Sequence, residues 1–178
     1  SPQRRGRGGH HTRDGRWAVI RIPRTEFEAI IAHARREAPR EACGLVAGHG
    51  NRIERVYPVA NRAELAVEFF AERGLIPPGR DYRPDAPGAI AVERFFMDPE
   101  EQFRALRDIE ASGLEHLGSY HSHPATEAYP SRTDVEMAAF WPGMLLMICS
   151  LADPDRPVVR AFRVVDGRVE EEPVVVEE

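Results

Sequence analysis

The chain has 178 residues, 42% of them apolar and 30% charged, with a formal net charge of −5. That is the composition of one soluble globular domain with a substantial core, not of a collagenous or wholly disordered chain. The charge leaves no basic field for nucleic acid, and no apolar run approaches the roughly 20 residues a membrane helix needs.

Residues 1–16 are Arg/Gly-rich and lack apolar periodicity, so they read as a disordered, solvated tail that includes His10 and His11. A single domain is expected over residues 17–176. Residues 17–22 alternate as an opening strand. Thr25 and Glu28 then form a capping box for a helix whose apolar stripe is Phe27, Ile30, Ile31 and Ala34, with Pro39 as the stop. Residues 42–48 form a short apolar strand with Glu41 at its entrance. Residues 52–59 return as its hairpin partner through His49-Gly50-Asn51. Residues 67–72 read as a further strand, and residues 73–88, with four prolines, as a long loop insert.

Residues 93–97 are read as a strand. Asp98, Pro99 and Glu101 open a helix carrying Phe103, Leu106 and Ile109, and Gly113 is its stop. Residues 117–123 form a strand ended by Pro124, and residues 144–151 a continuous apolar strand buried on both faces. Residues 158–165 and 168–176 bracket Asp166-Gly167, a hairpin signal. The sum is a mixed α/β domain: a mostly antiparallel sheet flanked by about three helices.

The chemistry gathers at Gly118-Ser119-Tyr120-His121-Ser122-His123-Pro124. Alternation along a strand puts His121 and His123 on one face, about 7 Å apart. After seven intervening residues come Ser131 and, at the third position of the next helix, Asp134. Two imidazoles and a carboxylate can supply three ligands of a tetrahedral zinc site, leaving the fourth position to water, as a catalytic site requires. Ser131-x-x-Asp134 is equally a helix cap. The two readings are compatible, because a capped first turn holds a ligand rigidly.

That joint spacing resembles the JAMM (MPN+) metalloprotease motif: an upstream Glu, then His-Ser-His-Pro, then Ser-x-x-Asp. Glu41 in Glu41-Ala42-Cys43-Gly44 is similar to the family's Glu-x-Cys-Gly opening; spacing alone does not single it out among the acids. The resemblance implies an MPN/JAB (cytidine-deaminase-like) domain holding one Zn2+ on His121, His123 and Asp134. Glu41 would be its general base and Ser131 its oxyanion donor, with no nucleophilic role for Cys43. Among family members the chain looks most like the compact bacterial Mec type. Those enzymes free cysteine from the C-terminal glycine of a ubiquitin-like sulfur carrier in cysteine biosynthesis. An isopeptidase removing such modifiers from lysines, and an MPN scaffold without activity, are the alternatives. The absence of His-x-Glu and Pro-Cys-x-x-Cys argues against a zinc nucleoside deaminase.

The expected partner is therefore a carrier protein ending in Gly-Gly, with neither nucleic acid nor membrane; oligomeric state stays open, a homodimer included. All 24 basic residues are arginine, so the chain offers no lysine for isopeptide conjugation. Two cysteines outside any disulfide framework, and the lack of a signal-peptide apolar core, point to the cytoplasm.

Overall fold

The computed structural model describes residues 19–76 and 90–178. The 1–16 tail, residues 17 and 18 of the opening strand and residues 77–88 of the insert lie outside them. The elements run β1 (Ile20–Pro23), α1 (Arg24–Glu37), β2 (Cys43–His49), β3 (Arg52–Val59), α2 (Val67–Glu72), α3 (Pro99–Ala111), β4 (Glu115–His123), α4 (Arg132–Ala138), β5 (Leu145–Ser150), β6 (Val158–Val165), β7 (Arg168–Glu172) and β8 (Val174–Glu177).

One mixed sheet takes all eight strands, in the order β7-β6-β5-β4-β2-β3-β1-β8. Four pairs are antiparallel and three parallel (β1·β3, β1·β8 and β4·β5). The expected α/β class holds, with four helices rather than three.

The sheet's two faces are covered differently. Successive side chains point opposite ways, so Val46, Tyr120 and Met147 face α1. There they pack with Ile30, Ala34, Ile20, Ile22 and Ile53. Ile30 is fully buried, a contribution of about 1.5–3 kcal/mol from its apolar surface. On the other face Cys43 and Leu45 meet Ala105 and Ile109 of α3, while Leu146, Ile148 and Phe162 meet Val135 and Ala138 of α4. α3 and α4 thus stand apart, and the stretch of β4 between them carries the site.

Gly44 allows β2 to approach β4: a Cβ there would run into the Tyr120 ring and the Tyr57 carbonyl. Tyr120 is in turn tied to α1, because its hydroxyl lies 2.7 Å from Nδ1 of His33, itself buried.

Four expectations are corrected. Residues 67–72 form helix α2, not a strand. Counted from Ala63, the buried positions 63, 66 and 70 recur at helical spacing, continuing a 3-10 turn at Ala63–Ala66. Residues 93–97 are not a strand; apart from the single bridge Asn61↔Met97 they pair with no strand. α1 begins at Arg24 without a side-chain cap, since the chain turns directly out of β1 at Pro23. Thr25 therefore sits inside the first turn. Residues 168–176 divide at Pro173 into β7 and β8, which lie on opposite edges of the sheet. The caps at Asp98 and Ser131 stand as read: Asp98 accepts from Glu101 N, and Ser131 with Asp134 closes a full capping box. No helix among the described residues is long and apolar enough to cross a membrane.

Candidate active site

β4 delivers both histidines to the face between α3 and α4, and both are buried. The loop from Pro124 to Pro130 is pinned at two places. Ala128 is buried against Leu146, Ile148 and Phe162, and Ser150 Oγ donates to Thr126 O at 2.5 Å. It therefore returns the chain to start α4 directly over the strand. Asp134, third in that helix and also buried, accepts from Ser131 N at 2.9 Å through Oδ2.

The same oxygen lies 3.1 Å from His121 Nε2 and 3.1 Å from His123 Nε2, and the two Nε2 atoms are themselves 3.1 Å apart. Three donor atoms thus form an equilateral triangle. A tetrahedral ion with bonds of 2.0–2.1 Å sets its ligands about 3.3–3.4 Å apart, so the triangle is close to the required size.

Tautomer chemistry makes the case for a cation. His123 Nδ1 donates to the Glu127 carbonyl oxygen at 2.8 Å, which leaves a lone pair on Nε2 when the ring is neutral. That lone pair faces a carboxylate oxygen and a second imidazole nitrogen at 3.1 Å. A proton on His121 Nε2 can bridge only one of these contacts at a time, whereas a cation between the three atoms satisfies all of them. His121 Nδ1 is buried without a hydrogen-bond partner, and Phe95 stacks on the ring at 4.6 Å and 25°. The donors present fit a metal ion.

Glu41 approaches the same centre from the β2 side. Its carboxylate shares a cluster with His121 and His123 in which all donor atoms lie within 4.8 Å of one another. The Asp134 oxygen is closer to both histidines, so Asp134 completes the triangle and Glu41 stands beside it. Burial, followed by the charge of Asp134, pushes the Glu41 carboxyl well above its ordinary range. Burial also acts on Asp134, but the adjacent His121 and the bonds it accepts win, and its carboxyl is held far down. Two neighbouring carboxyls with opposite shifts are the pattern of one group that binds and one that exchanges a proton.

Ser122, which the sequence reading left without a role, fastens this assembly. Its Oγ accepts from Ala42 N at 2.8 Å and its N–H donates to Ala42 O at 3.0 Å, setting the Glu41 segment against β4. Ser131 is exposed; its Oγ accepts from Asp134 N at 3.1 Å and keeps its own proton free to donate. Cys43 is buried and donates to Val59 O, and its thiol is pushed far up by burial and then by Glu41, so it is no thiolate nucleophile.

An apolar groove of about 330 Å³ runs from His121 and Asp134 along β4 over Ser119 and Gly118 to His116. Phe95, Phe96, Met137 and Trp141 are among its lining residues.

This architecture has close counterparts. Residues 23–165 match the family model described as prokaryotic homologs of the JAB domain. The CysO-cysteine peptidase of Mycobacterium tuberculosis is 38% identical over 168 residues, 93% of this chain and 97% of that protein. The desampylase of Haloferax volcanii is 34% identical over 129 residues, 69% of this chain and 74% of its own. The solution structure of DSY2949 from Desulfitobacterium hafniense superposes with a TM-score of 0.67 at 36% identity, covering 89% of this chain and 93% of that one. Matched by the family model over most of its length and 38% identical to a curated peptidase across 93% of it, the chain belongs to the prokaryotic JAB-domain family, as a peptidase-type hydrolase.

Proposed function

We propose that the chain is a zinc peptidase that hydrolyses the bond after the C-terminal glycine of a small ubiquitin-like sulfur-carrier protein, releasing cysteine for biosynthesis. The observation that carries the chemistry is the 3.1 Å donor triangle with a buried carboxylate beside it. The substrate class is supported by the likeness to a CysO-cysteine peptidase over nearly the whole chain.

His121, His123 and Asp134 would hold the ion. When bound, zinc would supply Lewis acidity at the reacting centre. The protein's own groups do the rest. Glu41 accepts the proton of the attacking water and returns it to the leaving amine, a task suited to a carboxyl whose proton affinity burial has raised. The Ser131 hydroxyl donates to the developing oxyanion.

Orientation follows from placement. Glu41 lies toward the Ala42 and Ser122 end of the site, the groove toward Ser119 and His116. The leaving amine must reach Glu41, so the acyl side of the substrate lies along the groove. Its last residues pass between β4 and α4, where glycine permits the closest approach. Two buried, unbridged thiols accord with a reducing, cytoplasmic setting.

The test presents the zinc-loaded enzyme with a carrier–cysteine adduct, a carrier–lysine conjugate and a carrier whose final glycine is alanine. The adduct should be cleaved fastest. The alanine tail should lower kcat/KM at least tenfold, about 1.4 kcal/mol. Faster cleavage of the lysine conjugate would favour the isopeptidase reading, which the likeness to a desampylase supports. Equal turnover of glycine and alanine tails would overturn the substrate assignment.

A further inference from the structure

Glu41 stands two residues before Cys43, where the β2·β3 and β2·β4 ladders begin, so neither ladder fixes its backbone. Its N–H donates instead to Ala91 O at 2.7 Å. Its carbonyl is held by the side chain of Asn61, whose Nδ2 donates to Glu41 O at 2.9 Å.

Asn61 is buried and its amide is fully used. Nδ2 also donates to Arg94 O at 3.0 Å, with Ala91 O at 3.3 Å sharing one of its two N–H groups, and Oδ1 accepts from Ala63 N at 3.0 Å and Phe96 N at 3.1 Å. One side chain therefore joins the segment that bears Glu41 to the segment around Phe95, the residue stacked on His121. No other residue type offers two donors and two acceptors in that compact fork without a charge.

We propose that Asn61 is a positioning residue for the reaction: it sets the Glu41 carboxylate relative to the His121 and His123 side of the site while leaving the metal ligands in place. The inference rests on the reading of Glu41 as the base. His121, His123 and Asp134 sit on β4 and α4 and receive none of Asn61's hydrogen bonds. Loss of the amide should thus misplace the base without emptying the site, and misplacement of about 1 Å can cost on the order of 10²-fold.

The experiment is a double-mutant cycle of Asn61→Ala and Glu41→Gln, read as kcat, KM, zinc content and melting temperature. Asn61→Ser runs in parallel as the milder variant should Asn61→Ala fold poorly. Expected in the wild-type background is a fall in kcat of at least about tenfold, with KM changed less than about threefold and zinc retained. With Glu41→Gln already present, the same change should cost less than about twofold, because two groups acting through one step are not additive. If both Asn61 variants lower kcat by the same factor in each background, or act only through melting temperature and zinc loss, Asn61 is structural and the inference falls alone. If Glu41→Gln is as fast as wild type, the base assignment falls and the inference with it.

Discussion

Both faces of the sheet bury histidine, and they do opposite things with it. On the α1 face His33 meets one partner, the hydroxyl of Tyr120, in a setting of aliphatic side chains. Burial, then the charge of Arg36, holds its imidazole below the ordinary value, so it stays neutral at pH 7. One residue along β4, His121 points the other way and meets a second imidazole and a carboxylate. Burial is common to both, so burial does not mark the site. What marks it is a set of three donor atoms that converge to within 3.1 Å of one another. The α1 face is satisfied by its own groups; the α3/α4 face gathers a donor set that a cation would fit.

That contrast can be broken by substitution. On the α3/α4 face, alanine at His121, His123 or Asp134 should remove zinc and activity together, taking the rate to background. Full zinc by elemental analysis in all three variants would dissolve the distinction. Glu41→Gln comes next: zinc stays, the rate falls by about 10²–10⁴, and the melting temperature does not drop, since a buried carboxyl has become a neutral amide. An unchanged rate would send the search for the base to Glu127 or Glu136, whose side chains are exposed.

On the α1 face the smallest effect is expected, and it concerns stability alone. A histidine whose folded pKa is depressed binds fewer protons than the unfolded chain does below about pH 6.5. Its contribution is present above that value and is lost as pH falls towards the folded one. His33→Phe removes the titrating group and leaves the Tyr120 hydroxyl unpaired, a cost of about 1–3 kcal/mol at pH 7. Between pH 7 and pH 5 its melting temperature should fall less than that of wild type at the same zinc concentration, while kcat per bound zinc stays level. A steeper fall in the variant would show that His33 is protonated in the fold.

Local signals explain why some of this was legible in the sequence. The helix opening at Asp98-Pro99, the Ser131 cap and the His-x-His strand each declare themselves within a few residues, and each stands where expected. Residues 67–72 misled because six residues are too few to tell alternation from one helical turn; the buried Ala63 and Ala66 upstream settle it. Residues 93–97 misled differently. They are strand-like in composition, but a side chain takes the place of a strand: Asn61 binds Arg94 O and Phe96 N. No local pattern announces such a substitution. Glu41 is the same case, since its place beside the histidines depends on β2 pairing with a strand far along the chain, and only family likeness picked it out.

The placement of β8 has a kinetic side. Among the described residues β1 is the first strand in sequence and β8 the last, yet Ile20 lies opposite Val174 and the two strands form one edge of the sheet. Closing a contact across nearly the whole chain carries a large loop entropy and slows the search for it. On the ribosome, β1 can dock with β3 early, but its outer backbone groups wait for residues 174–177 to emerge. Through that interval the nascent chain carries an open strand edge, the template on which neighbouring chains pair and aggregate. β8 then becomes the edge itself, and a strand of only four residues gives a neighbouring chain little to pair with.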